Sequence, residues 1–230
     1  SGFVGRVLCR ELRERGVQVR ALLLEPGPGP WEEGVVHDLA AGLVPPGHLE
    51  GVDTVFHLAG MAHVPRPTPR QEALCRRVNV EATEALAREA SSAGVGRFVF
   101  MSSVKAAGRP GEECLDEGAA GGTPTDLYGI TKLEAEQRLH RVAEASGMPA
   151  AVLRPALVYG PGVKGNLAAL VRGAAAGWLP PLPRVENRRS MVGVEDLARA
   201  AIQSATSAGD GSRLYYVTDG EQYSTADLWD

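Results

Sequence analysis

Tyr128 and Lys132 stand four residues apart in Tyr128-Gly129-Ile130-Thr131-Lys132, within a stretch of helical spacing. On a helix that interval puts both side chains on one face, a turn apart. A free tyrosine, with a pKa near ~10, is a poor base at neutral pH. A nearby ammonium stabilises the phenolate and lowers that pKa, which would make Tyr128 a usable proton acceptor or donor. Upstream, the apolar run Arg97–Met101 predicts a buried strand that ends in Ser102-Ser103. A hydroxyl delivered to the carboxyl end of a sheet can orient a substrate alcohol by hydrogen bonding. The three residue types together suit proton transfer at an alcohol oxygen.

A second signal opens the chain. Ser1-Gly2-Phe3-Val4-Gly5 runs straight into a helical pattern. It has the form of the second half of a Gly-rich turn, in which one Gly admits a phosphate and the next lets the helix lie on a sheet. An ordinary Gly N-cap has the same appearance. The first Gly of such a turn and its strand would lie upstream of Ser1, so natural residues are expected before Ser1 and beyond Asp230. The chain does not begin with Met.

Positioning these groups takes a particular succession of elements. Helical spacing covers 3–15, a strand-length apolar run 17–24, and Glu25–Pro30 can be neither. Short buried strands are predicted at 35–36 and 53–58, a long amphipathic helix over 71–93, and the strand 97–102. A loop over 108–125 leads to a helix over 127–146, stopped by Gly147. A strand at 150–154, helices at 167–176 and 195–204, and a strand at 213–218 complete the reading. Strand and helix alternating at this spacing predict an α/β fold, a doubly wound parallel sheet with ligands at the carboxyl ends of its strands.

Composition narrows the partners. The 230 residues carry 24 Lys+Arg against 28 Asp+Glu, a net charge of −4, and 44% are hydrophobic. That fills a core and argues against nucleic acid or an anionic membrane as the main partner. No run reaches the ~18–20 apolar residues of a membrane span. Cys9, Cys75 and Cys114 form neither a disulfide framework nor a metal cluster, so a cytoplasmic location is expected. His37, His48, His57, His63 and His140 have no metal-ligand spacing, and no metal is expected. His63 reads as a loop residue, with contact to substrate as the alternative. Only three residues are Lys: Lys105, Lys132 and Lys164.

With Ser102-Ser103 ahead of Tyr128 and Lys132, the chain resembles the extended short-chain dehydrogenase/reductase family, and within it the nucleotide-sugar epimerases. The resemblance implies a Rossmann-type sheet over 1–153 and a nucleotide-sugar-binding part over 154–230, with elements returning to the main sheet. It implies that Gly2, Phe3, Val4 and Gly5 end the nucleotide loop. Asp38 and Leu39 would flank the adenine, and Leu58, Ala59 and Gly60 would form the apolar turn beneath the cofactor. Asn79 matches a helix Asn with a structural role. Ser103, Tyr128 and Lys132 inherit the catalytic roles, and Pro155 would pass the nicotinamide together with Val158-Tyr159-Gly160-Pro161-Gly162. Asn166 and Arg189 fall where the substrate diphosphate is held, a task suited to the planar fork of Arg.

The departures are informative. Leu23 and Leu24 stand where NAD users carry an acidic residue, and Glu25 comes later; NAD is expected despite this departure, with NADP as the alternative. Val104-Lys105 replaces the acidic pair of the dehydratases, which argues against dehydration. Gly193 stands where epimerases often carry an aromatic residue or His. Lys105 and Lys164 read as phosphate or sugar contacts, and Trp178–Arg189 as a cover for a nucleoside base or a surface loop. The Arg/Glu-rich 133–144 face reads as solvated, or as a homodimer contact. The expected activity is C4 epimerisation of a nucleotide-diphosphate sugar through a 4-keto intermediate. The alternatives are an NADPH-dependent carbonyl reductase and a non-catalytic dinucleotide-binding protein or inactive fragment.

Overall fold

The computed structural model describes residues 2–45, 47–62, 66–108, 122–163, 166–176, 188–207, 211–224 and 227. Four strands, β3 (Thr54–His57), β4 (Arg97–Met101), β5 (Ala150–Pro155) and β8 (Ser212–Val217), form a parallel sheet in the order β3-β4-β5-β8. Two earlier strands, β1 (Arg20–Leu23) and β2 (Glu33–Val36), pair in parallel as a sheet of their own. Expected and observed strands agree to within a few residues. The differences lie at the ends: β1 begins at Arg20 rather than 17, and β2 begins at Glu33, two residues ahead of the expected run.

Alternation along the central strands explains the layers. Phe98 and Phe100 of β4 and Ala150 and Val152 of β5 point to one side. There they meet Leu86 and Ala90 of α3 (Ala82–Ser92) and Leu139 and Ala143 of α4 (Leu127–Ser146). Val99, Met101, Ala151 and Leu153 point the other way. They meet Leu8 and Leu12 of α1 (Phe3–Glu14) and Leu197 and Ala201 of α6 (Val194–Thr206). Strands apolar on both faces require helices on both faces, which is the doubly wound arrangement.

Three further strands were not visible as apolar runs. β6 (Leu157–Tyr159) pairs in parallel with β7 (Arg189–Gly193), and β7 pairs antiparallel with β9 (Gln222–Tyr223). These strands are short and half exposed, so periodicity hardly marks them. The helix α5 (Asn166–Ala175) lies between β6 and β7 in the chain.

The expected helix over 71–93 is interrupted. It begins as α2 (Pro69–Arg76), with a Thr68–Gln71 capping box, and passes through a π-helical turn, Arg77–Glu81, into α3. That turn contains Asn79, which is fully buried. α4 keeps its expected bounds because local signals set both ends. Asp126 caps it by accepting from the Gly129 N–H at 2.9 Å, and Gly147 closes it in a left-handed conformation at φ +72°.

Candidate active site

The carboxyl end of β4 and the first turns of α4 build the site. Ser103 is extended at φ −162° and caps the 3₁₀ turn Val104–Ala107, its Oγ accepting from the Lys105 N–H at 3.2 Å. The same hydroxyl faces the Tyr128 phenol and favours its ionised form. Gly129 makes this approach possible: a Cβ there would sit 2.5 Å from the Lys105 carbonyl oxygen. Lys105 Nζ meets Asp126 Oδ2 at 2.9 Å across the same junction. Lys105 therefore joins the two halves of the site, and its expected anion-binding role meets a partner of its own chain.

Lys132 is 2% exposed. Its Nζ donates to the Met101 carbonyl oxygen at 2.8 Å and lies 4.5 Å from the Phe100 ring centroid and 5.9 Å from that of Tyr128. Burial pulls its pKa down to about 8, while the charge of Glu136 pushes the other way. The expected lowering of the Tyr128 pKa does not occur here. Burial, with the Asp126 carboxylate two residues away, pushes it up to about 12, and the Ser103 hydrogen bond only partly offsets this. The reason is geometric: the Lys132 ammonium turns inward to a backbone carbonyl.

Behind the pair, Asn79 ties three segments together. Its Oδ1 accepts from the Met61 N–H at 2.7 Å, and its Nδ2 donates to Met61 O and Thr131 Oγ1, both at 3.0 Å. Gly60 lies against this knot. A Cβ on it would stand 3.2 Å from both Asn79 Oδ1 and Lys132 Nζ, so a side chain there would push both groups aside by a few tenths of an ångström. Ala59 and Gly60 are exposed and Leu58 half buried. His57 stacks on Phe100 with centroids 5.6 Å apart and lies 2.9 Å from Thr83 Oγ1. That hydroxyl already donates to Asn79 O at 2.7 Å, so His57 Nε2 must be the donor to it. Burial drops the His57 pKa to about 3, which keeps the ring neutral.

The N-terminus of α1 could hold a diphosphate. Gly2 is extended and offers no side-chain cap, which leaves the first-turn amides of Phe3, Val4 and Gly5 without side-chain acceptors. A Cβ built at Gly2 or Gly5 would meet nothing within 4 Å, whereas one at Gly162 would lie 3.7 Å from the Phe3 ring. The 160–162 turn thus approaches the first turn of α1. Pro155 is buried at the end of β5. Asp38 is exposed, and its carboxylate accepts from the Ala40 N–H at 2.9 Å ahead of half-buried Leu39. Arg189 is exposed at the start of β7, opposite Tyr223. Asn166 begins α5, and its side chain lies outside the described residues, as do His63, Cys114, Lys164 and 177–187.

The inward stripe of α4 continues past the expected residues. Glu136 is buried, and Arg154 Nε and Nη2 donate to its carboxylate at 3.0 and 2.5 Å. Its signal was a carboxylate eight residues after Tyr128 and four after Lys132, hence on their face. Among the described residues no group of three or more His, Cys, Asp or Glu gathers as a metal site, and no helix is long and apolar enough to cross a membrane.

A parallel sheet with a helix N-terminus and a Ser–Tyr–Lys set at its carboxyl ends defines a dinucleotide-binding class of protein. Residues 1–217 match the NAD dependent epimerase/dehydratase family, and the chain belongs to it. It is 34% identical over 183 residues to a UDP-glucose 4-epimerase of Vibrio cholerae, covering 78% of this chain and 56% of that protein. It is 30% identical over 237 residues to a 3-beta-hydroxysteroid dehydrogenase of Mycolicibacterium neoaurum, covering 96% of this chain and 64% of that one. The chain thus spans little more than half to two thirds of these curated relatives. Among solved structures, MoeE5 in complex with UDP-glucuronic acid and NAD superposes with a TM-score of 0.86 at 30% identity, covering 99% of this chain and 77% of that one.

Proposed function

We propose that this chain carries the catalytic part of an NAD-dependent epimerase that inverts C4 of a nucleotide-diphosphate sugar. The observation that carries the reading is the meeting of Ser103, Tyr128 and Lys132 at the carboxyl end of β4. NAD would supply a reversible hydride acceptor. In this reading, Gly2–Gly5 bind its diphosphate, Asp38 and Leu39 flank the adenine, and Leu58–Gly60 and Pro155 line its path. The 4-keto sugar is the intermediate.

Ser103 orients the C4 hydroxyl, and Tyr128 exchanges the proton at that oxygen. Lys132 supplies the nearby positive charge and holds the cofactor ribose. Arg189 and Asn166 hold the substrate diphosphate, with Arg189 on an exposed strand end suited to a large anionic ligand. UDP is the nucleotide this reading favours, as in the names of the Vibrio cholerae and MoeE5 relatives. A reducing cytoplasm suits the free thiols of Cys9 and Cys75. Within the 133–144 face, exposed Gln137, His140, Arg141 and Glu144 form the surface a homodimer would use.

The dehydrogenase relative favours a second reading, net oxidation or reduction of a carbonyl substrate. The two part on cofactor balance. An epimerase regenerates its cofactor each cycle, so purified protein should interconvert UDP-glucose and UDP-galactose with catalytic NAD and no net change at 340 nm. Stoichiometric consumption of NADPH, with no interconversion, overturns the epimerase and supports the reductase.

A further inference from the structure

The inward face of α4 holds a buried polar cluster that the reaction above leaves unused. Glu136 is 6% exposed and Arg154 8%. The Glu136 carboxylate accepts from the Ser102 hydroxyl as well as from both guanidinium nitrogens of Arg154. Arg154 Nη1 in turn donates to the Tyr216 hydroxyl at 2.8 Å, and the guanidinium lies 5.5 Å from the Tyr216 ring centroid. One cluster thereby joins α4, the end of β4, β5 and β8.

A buried ion pair is weak evidence for stability, because desolvation offsets the attraction and an apolar plug of equal volume often does as well. The register shows what an apolar plug could not do. Three successive turns of α4 hold three successive residues at the end of β4. Tyr128 faces the Ser103 hydroxyl, Lys132 donates to the Met101 carbonyl, and Glu136 accepts from the Ser102 hydroxyl. Only the first two belong to the catalytic set. The third anchors the residue between their partners.

The charge balance agrees with the geometry. The groups facing Lys132 are Tyr128 and Glu136 on α4, the Cys75 thiol on α2 and neutral His57 on β3. Glu136 is the carboxylate among them, and Arg154 faces it from the far side. Burial alone disfavours the ammonium; the Glu136 charge works against that loss.

We propose that Glu136 is a positioning residue for the Ser103–Tyr128–Lys132 set, anchoring Ser102 to α4 and supplying the counter-charge that faces the Lys132 ammonium. The inference rests on the catalytic reading of that set, and its test is chosen to stand apart from turnover. With only three lysines in 230 residues, the full chain labelled with ¹³C at lysine Cε gives few resonances, and Lys132→Met assigns the buried one. Wild-type Lys132 should titrate near pH 8, in keeping with its pKa of about 8. Glu136→Gln should move that titration down by about one unit, and Glu136→Asp, which keeps the charge, should restore most of the shift. Glu136→Gln strands Arg154, so Glu136→Gln with Arg154→Met serves as a second variant that removes both charges together; it should also titrate below wild type. A Lys132 titration unmoved in the folded variants overturns the proposal. Ser102→Ala should lower kcat about tenfold with KM unchanged, because only the anchor is lost; an unchanged kcat also overturns it. A protein that shows the titration shift but interconverts no nucleotide sugar sinks the epimerase reading, while the Glu136 counter-charge at Lys132 stands.

Discussion

The two faces of α4 carry similar residue types and do opposite things with them. On the inner face, Tyr128, Lys132 and Glu136 are enclosed, and each meets a specific partner at the end of β4. On the outer face, Glu134 and Arg138 join a ladder with Arg76, Glu84 and Arg88 from α2 and α3. Glu84 receives Arg138 at 2.7 Å and Arg88 at 2.6 Å, so each outer carboxylate has two cations. Lys132 and Glu136 on the inner face are almost wholly shielded from solvent. In the low dielectric of the interior an unpaired group costs far more than at the surface. Redundancy belongs to the exposed face and dependence to the buried one.

The largest expected effect is chemical. Tyr128→Phe removes the titrating oxygen and almost no packing volume, so epimerase turnover should fall by about 10²- to 10⁴-fold. Isothermal titration should find cofactor affinity nearly unchanged. Near-normal turnover would detach the inner face from catalysis.

Next comes the cluster behind it. Arg154→Met leaves the Glu136 carboxylate buried without its cation, and urea unfolding should show a loss of about 3–5 kcal/mol. A loss comparable to that of an outer-face variant would erase the contrast between the faces.

Gly129→Ala places a methyl 2.5 Å from a backbone carbonyl, which cannot turn aside as a side chain would. It should cost about 1–3 kcal/mol and weaken the Ser103–Tyr128 contact. A melting temperature and kcat equal to wild type would mean the 3₁₀ turn can retreat without harm.

Lys132 adds a pH signature. Its folded pKa of about 8 lies below the ordinary lysine value of 10.5. Between these values the unfolded chain holds a proton that the folded chain has released, so stability should rise as pH increases from about 8 towards 10.5. Below that window the burial cost is fully present and constant. Lys132→Met should flatten the rise in denaturant midpoints while abolishing activity; a rise of equal size in that variant would assign it to another group.

The smallest effect is expected outside. Arg138→Ala should cost under about 1 kcal/mol and lose even that at high salt. A larger, salt-independent loss would show that the ladder is as closely coupled as the inner cluster.

What sequence alone determined was whatever local physics sets. The Tyr128–Lys132 interval implies one helix face whatever packs on it. Asp126 and Gly147 bound α4 by capping within a few residues. Apolar runs such as Arg97–Met101 imply strands covered on both sides, which made the doubly wound sheet legible. Tertiary structure decided the rest, because its causes lie far apart in the chain. Glu136 meets Ser102 across 34 residues, and Arg154 meets Tyr216 across 62. Asn79 is buried in a π-helical turn that interrupts a run reading as continuous helix, and its partners Met61 and Thr131 lie far away in the chain. β6, β7 and β9 are recognised as strands by their ladder pairing, since runs of two to five residues carry too little period to mark them. The direction of the Tyr128 pKa belongs to the same class: spacing brings a lysine close, but burial, Asp126 and the Met101 carbonyl that claims the ammonium set the outcome. Periodicity places a side chain on a face; only the assembled interior decides which partner and how much water it meets there.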